Sequence, residues 1–168
     1  MPDTQAVNKI FAGLDKGNAM ILGMIDYGTC SIDHIQPCKD TFLDGIRVIF
    51  KEHLMYEALA YCKQLKDLGY KVFAQMVSVT TYTDEKLKEY ANSMVDTYGL
   101  LDADHLMHIF SVLDKYLDKK IKVGYHAHNN FQLGFANAVR FLGSDTERDI
   151  LADGTLYAMG KSAGNAAI

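Results

Sequence analysis

No apolar run in this 168-residue chain approaches the roughly 20 residues that a membrane span needs. Positive charge is in short supply as well. Seventeen Lys and Arg against 21 Asp and Glu leave a net charge of −4 and a pI near 5.8. That balance removes the electrostatic case for nucleic acid or an anionic membrane as partner. Cysteine is sparse and odd in number, and Cys30, Cys38 and Cys62 are not spaced as a metal knuckle. Reduced thiols buried as small core residues are expected rather than a disulfide framework. The opening stretch MPDTQAVNKIFAGLDKG lacks the charged and apolar regions of a signal peptide, so a cytoplasmic location is expected. Two nucleotide-binding signatures are missing too. There is no Gly-x-Gly-x-x-Gly after the first strand, and GKSAGN lacks the earlier glycine of a P-loop.

What is present is a hydrophobic content of 49%, enough for one domain with a sizeable core, spanning residues 1–168. Short apolar runs alternate with longer amphipathic ones. Candidate strands are AMILGMID from Ala19, IRVIF from Ile46, KVFAQMVS from Lys71, SMVD from Ser93, KVGYH from Lys122 and DILADGT from Asp149. Their starts lie 27, 25, 22, 29 and 27 residues apart. This is the rhythm of βα units, whose parallel strands need a crossover of a dozen or more residues.

The intervening segments read as helices. Leu54, Ala58, Tyr61, Cys62 and Leu65 form one stripe ahead of Gly69, a natural stop. Leu106, Ile109, Phe110, Leu113 and Leu117 form another, with Asp102 or Asp104 at its start. A third segment offers Phe131, Phe135, Ala138 and Leu142, then Gly143. The segment DEKLKEYAN before SMVD has room for only about two helical turns. Repeated βα units mean an α/β fold, either an open doubly wound sheet or a (βα)8 barrel.

In both architectures function sits at the carboxyl ends of the strands, and polar residues gather there. Asp26 and Tyr27 follow the first candidate strand; Arg47 lies on the second, with Lys51, Glu52 and His53 after it. Gln75 and Ser78 belong to the third, Asp96 and Thr97 to the fourth. From this set Arg47, Asp96 and Thr97 are the candidates for catalysis, and Gln75 with Gly160 and Gly164 for substrate binding. His53 is a further acid–base candidate, while His105 and His108, three apart on a helix, read as solvated. The fifth strand ends in HAHNN. Residues i and i+2 of a strand point to one face, so His126 and His128 are parallel neighbours able to share one divalent metal. A pair of half-buried histidines bonded to backbone carbonyls is the plainer alternative. The sixth strand leads into DGTLYAMGKSAGN, whose glycines let backbone approach a ligand.

GYHAHNNFQLGFANAV followed by DGTLYAMGKSAGNAAI resembles the metal-dependent pyruvate aldolase and HMG-CoA lyase family of TIM barrels. The likeness is strongest to the catalytic domains of 4-hydroxy-2-oxovalerate aldolases, and SMVDTYGLLDADHL looks like that family's sixth strand and loop. The resemblance implies a (βα)8 barrel of which about strands 3 to 8 are present. By position, His126 and His128 match the family's two histidine ligands, and Asn165 matches an asparagine that ligates or supports the metal. The family's Asp-x-Thr-x-Arg-Asp motif, with its aspartate ligand and catalytic arginine, is not in the sequence. Neither is the catalytic cysteine of HMG-CoA lyase proper, which argues against thioester cleavage by that route.

The reaction implied is reversible aldol cleavage of a 4-hydroxy-2-oxo acid to pyruvate and an aldehyde. Imidazole and oxygen ligands suit Mn²⁺ or Mg²⁺, which would stabilise the enolate charge. A Schiff base on Lys51 is the other aldolase strategy. An acyl-CoA condensing enzyme of the isopropylmalate synthase type is the enzymatic alternative. A non-catalytic barrel fragment is the alternative from another class. The expected partners are a small 2-oxo acid and a second copy of the chain, since missing strands leave sheet edges that favour self-association. Weak metal binding and poor turnover are expected of these 168 residues alone.

Overall fold

The computed structural model describes residues 1, 3–78, 82–93, 102–129, 132–155, 157, 159 and 164–167. The chain divides into two compact units, Met1–Gln75 and Met76–Ile168.

In the first unit, α1 (Thr4–Ile10) precedes β1 (Leu22–Asp26), β2 (Gly45–Phe50), α2 (Met55–Asp67) and β3 (Lys71–Met76). The sheet order is β1-β2-β3, and β1 runs parallel to β2 with Leu22 opposite Gly45 and Asp26 opposite Ile49. On β2 the period-2 alternation is plain. Ile46, Val48 and Phe50 are buried, while Arg47 and Ile49 on the other face are partly exposed. Helix α2 lays Met55, Ala58, Tyr61, Cys62 and Leu65 into the core, so the stripe read from sequence holds with Met55 in place of Leu54. Its end is capped at Leu68, and Gly69 follows at φ +92°, a conformation that favours glycine. Gly45 is required for a different reason: a Cβ there would lie 2.5 Å from the Lys71 carbonyl oxygen on the neighbouring strand. Cys30 and Cys62 are buried and all three cysteines are free. Burial pushes the Cys62 thiol up to about 11, which makes it inert packing rather than a nucleophile.

The second unit contains α3 (Asp84–Ser93), α4 (Ala103–Tyr116), β4 (Val123–Tyr125), α5 (Gly134–Leu142) and β5 (Ile150–Ala152). Strands β4 and β5 are parallel, with Val123 opposite Ile150 and Tyr125 opposite Ala152, and α5 is the crossover between them. Asp102 caps α4 by accepting from the amides of Asp104 and His105 at 3.1 and 3.0 Å. Leu106, Ile109, Phe110, Leu113 and Leu117 are all buried, as the periodicity predicts. Phe141 sits against Phe110 and Tyr125, with ring centroids 5.1 and 5.8 Å away.

Two expectations need correction. The strand predicted from Ser93 does not begin there: Ser93 is the last residue of α3, a 10-residue helix slightly longer than the two turns expected. Residues 94–96 of that segment lie outside the described residues. On α5 the core stripe is Gly134, Asn137, Ala138 and Phe141; of the predicted stripe Ala138 is buried, while Phe135 and Leu142 are exposed. Phe135 is 59% exposed and Phe141 only 1%. Phe131 falls outside the described residues. The helix carries two adjacent apolar stripes about 100° apart, and the inward one is the stripe whose small residues let the helix approach. A Cβ on Gly134 would lie 3.3 Å from the Ala166 Cα, and the Asn137 amide donates to the buried Tyr125 hydroxyl at 3.4 Å.

Each sheet thus contains a parallel pair, β1 with β2 and β4 with β5. Among the described residues no helix is long and apolar enough to cross a membrane.

Candidate functional site

The His-x-His pair occupies the carboxyl end of β4. Val123, Gly124 and Tyr125 are buried, as befits a strand covered on both faces. The two histidines follow at positions 126 and 128, the second in a β-bridge. The two imidazole rings lie 5.1 Å apart, centroid to centroid, and stand nearly perpendicular at 86°. The shared face that the i, i+2 spacing implies is therefore present.

A second segment closes over this end. His128 forms an antiparallel bridge with Asn165. The Asn129 amide donates to the Gly164 carbonyl at 2.8 Å, and the Ala166 amide donates to the Ala127 carbonyl at 3.2 Å. Gly164 adopts φ +81°, which is open to glycine and strained for other residues. On the far side the Thr155 amide donates to the Ala166 carbonyl at 2.9 Å. Residues 164–166 are thereby held between the end of β4 and the segment following β5.

The side chains in this frame are unevenly satisfied. Asn165 Nδ2 donates to the Met159 carbonyl at 3.3 Å. Its Oδ1 is buried with no hydrogen-bond partner among the described residues, and so is His128 Nδ1. A buried polar atom without a partner costs about 1–3 kcal/mol, so two at one place call for a ligand or water. His126 differs: its Nδ1 lies 2.9 Å from Asp153 Oδ2. The parallel register explains that contact. Tyr125 faces Ala152, so the next residues along, His126 and Asp153, come abreast, and the Asp153 amide donates to the Tyr125 carbonyl at 2.9 Å. Sequence reading placed the DGTLYAMG segment at a strand end but passed over Asp153; only strand pairing reveals it.

The donor set fits a divalent cation in kind. Neutral imidazole nitrogen and amide oxygen are ligands that Mn²⁺ and Mg²⁺ accept, and both orphaned atoms are unprotonated lone-pair donors in one tautomer of His128. Among the described residues, no three His, Cys, Asp or Glu side chains come together as a metal site by themselves.

The remaining candidates are scattered. Arg47 sits mid-strand on β2 opposite Met24, in the first unit. Gln75, near the end of β3, is 6% exposed, and its Oε1 is another buried atom without a partner among the described residues. Asp96, Thr97 and Gly160 lie outside the described residues. Lys51 and His53 are exposed in the turn after β2. His105 and His108 are exposed and engaged structurally, His105 Nδ1 with Asp102 at 2.6 Å and His108 Nε2 with Asp84 at 2.9 Å.

Comparison with known proteins bears on the chain as a whole. No protein-family model matches the chain. Two curated proteins named 4-hydroxy-2-oxovalerate aldolase are similar to it. The one from Marinomonas sp. (strain MWYL1) is 28% identical over 165 residues. The one from Shewanella woodyi (strain ATCC 51908 / MS32) is 26% identical over 160 residues. Each alignment covers 88% of this chain and 45% of the relative, so the chain spans about half the length of the curated relatives it matches. A crystal structure of the N-terminal domain of a Bacteroides vulgatus protein, provisionally assigned as an aldolase, superposes with a TM-score of 0.72 at 19% identity. It covers 97% of this chain and 56% of that one, a likeness of fold. The relatives bear out the resemblance read from the motifs: the chain is aldolase-like.

Proposed function

We propose that this aldolase-like chain carries the metal-binding part of a (βα)8-type pyruvate aldolase that cleaves a 4-hydroxy-2-oxo acid to pyruvate and an aldehyde. The observation that carries the reading is the pair of orphaned atoms, His128 Nδ1 and Asn165 Oδ1, buried beside His126 where two chain segments meet. His126, His128 and Asn165 would hold a divalent ion, Mn²⁺ or Mg²⁺. When bound, that ion would supply Lewis-acid stabilisation of the negative charge left on the pyruvate half after carbon–carbon cleavage.

The chain's own contributions follow from its geometry. The antiparallel bridge between His128 and Asn165 keeps their donor atoms at one end of β4. The Met159 carbonyl, by accepting from Asn165 Nδ2, leaves the amide oxygen as the free end. The proposal gives Arg47, Asp96 and Thr97 catalytic roles and gives Gln75, Gly160 and Gly164 the substrate. A cytoplasmic setting and self-association belong to the same proposal.

The experiment is calorimetric titration of Mn²⁺ into the full chain, paired with an assay of pyruvate release from 4-hydroxy-2-oxovalerate. Stoichiometric binding that disappears when His126 and His128 are both replaced by alanine is the expected result. Binding that survives the double substitution unchanged refutes the site.

A further inference from the structure

We infer that Asp153 is a positioning residue for His126: its carboxylate accepts the imidazole Nδ1–H and so leaves the Nε2 lone pair free for a divalent cation. The inference rests on the reading of His126 and His128 as metal ligands and adds a residue to it.

The contact is short, 2.9 Å from Asp153 Oδ2 to His126 Nδ1. It is also built into the backbone. Parallel pairing of Tyr125 with Ala152 brings the two residues abreast, and the Asp153 amide holds the Tyr125 carbonyl at 2.9 Å. A carboxylate only accepts, so against a neutral imidazole it selects the Nδ1–H tautomer. A charge-assisted hydrogen bond is worth about 1.5–3 kcal/mol, far more than the small intrinsic preference between imidazole tautomers. Such a partner both aims the ring and raises the basicity of the other nitrogen.

His128, two residues on, makes the contrast. Among the described residues no carboxylate is bonded to it, and its own Nδ1 is a buried atom without a partner. The two rings stand at 86° to each other. One imidazole is thus oriented by a side chain, whereas for the other only the backbone is held, by the bridge to Asn165.

The test uses the full chain, metal-free at pH 8 with ¹⁵N-labelled histidine, and reads the tautomer of His126 by long-range ¹H–¹⁵N correlation. Mn²⁺ affinity is then measured by calorimetry. The wild-type chain should show His126 protonated on Nδ1. In Asp153→Asn, nearly the same in shape, the amide can turn its NH₂ toward Nδ1 and favour the other tautomer. The Nδ1–H signature should therefore be lost and Mn²⁺ affinity should fall about 10–100-fold. Asp153→Glu should restore the tautomer and part of the affinity. A wild-type His126 protonated on Nε2 overturns the inference, as does a tautomer change without an affinity change or the reverse. If the His126→Ala/His128→Ala chain binds Mn²⁺ as wild type does, the metal reading fails instead. The tautomer measurement then still decides whether Asp153 sets the ring.

Discussion

Replacing Arg148 by methionine should destabilise the second unit more than any other single change at a charged residue outside the site. The Arg148 side chain is fully buried, 0% exposed, and its Nε and both terminal nitrogens donate hydrogen bonds. Nε donates to Asp114 Oδ1 at 2.9 Å. One terminal nitrogen donates to the carbonyls of Asp118, at 2.7 Å, and of Ile121. The other reaches the carbonyls of Asp114 and Leu117 at 3.3 and 3.0 Å. Those carbonyls belong to the last turn of α4 and the loop after it, where a helix exposes unpaired acceptors and negative dipole.

Removing one partner of a buried pair costs about 3–5 kcal/mol, because the other is left uncompensated. Asp114 keeps a bond to Lys119 at 3.0 Å, which discounts the loss, while the stranded carbonyls add to it, so about 3–5 kcal/mol stands. Urea denaturation followed by far-ultraviolet circular dichroism should show the midpoint falling by about 1.5–2.5 M, for a slope near 2 kcal/mol per M. Lys119→Met breaks the exposed arm of the same cluster and should cost no more than about 1 kcal/mol.

Acid adds a sign. Burial alone would raise the Asp114 carboxyl, but hydrogen bonds from Arg148 and Lys119 outweigh it and hold the group below its ordinary 3.8. A lowered folded value means stability that is present above the ordinary carboxylate range and lost as pH falls through the folded one. The penalty of Arg148→Met should therefore be full at pH 7 and smaller near pH 3. A cost under 1 kcal/mol at pH 7, or a penalty that grows in acid, refutes the reasoning.

Other substitutions probe the packing. Phe141→Ala should cost about 3–5 kcal/mol in the same urea assay, whereas Phe135→Ser on the exposed stripe of α5 should stay within about 0.5 kcal/mol. Equal costs would mean that the inward face of α5 is misassigned. Gly45→Ala should destabilise the first unit by about 1–3 kcal/mol, since its Cβ would press on the Lys71 carbonyl; a neutral or stabilising result would show that β2 and β3 can part without loss.

The sequence alone determined the order and kind of the elements wherever periodicity was unambiguous. The β-branched run at 46–50 and the single stripe of α4 could each bury one face in only one way. It also brought out His126 and His128, because a strand's period of two places neighbours on one face without help from the rest of the chain. Tertiary structure decided what depends on a second segment. Helix α5 offers two apolar stripes, and only the close approach at Gly134 and the Asn137–Tyr125 bond choose between them. Arg148 sits among charged residues in the run SDTERD and reads as solvated until the end of α4 closes over it. Asp153 becomes a partner of His126 only through the register of β4 with β5, and Asn165 meets His128 only through a bridge spanning 37 positions of sequence. Local periodicity acts over a few residues, whereas pairing between distant segments is set by which backbone hydrogen bonds the whole fold can satisfy.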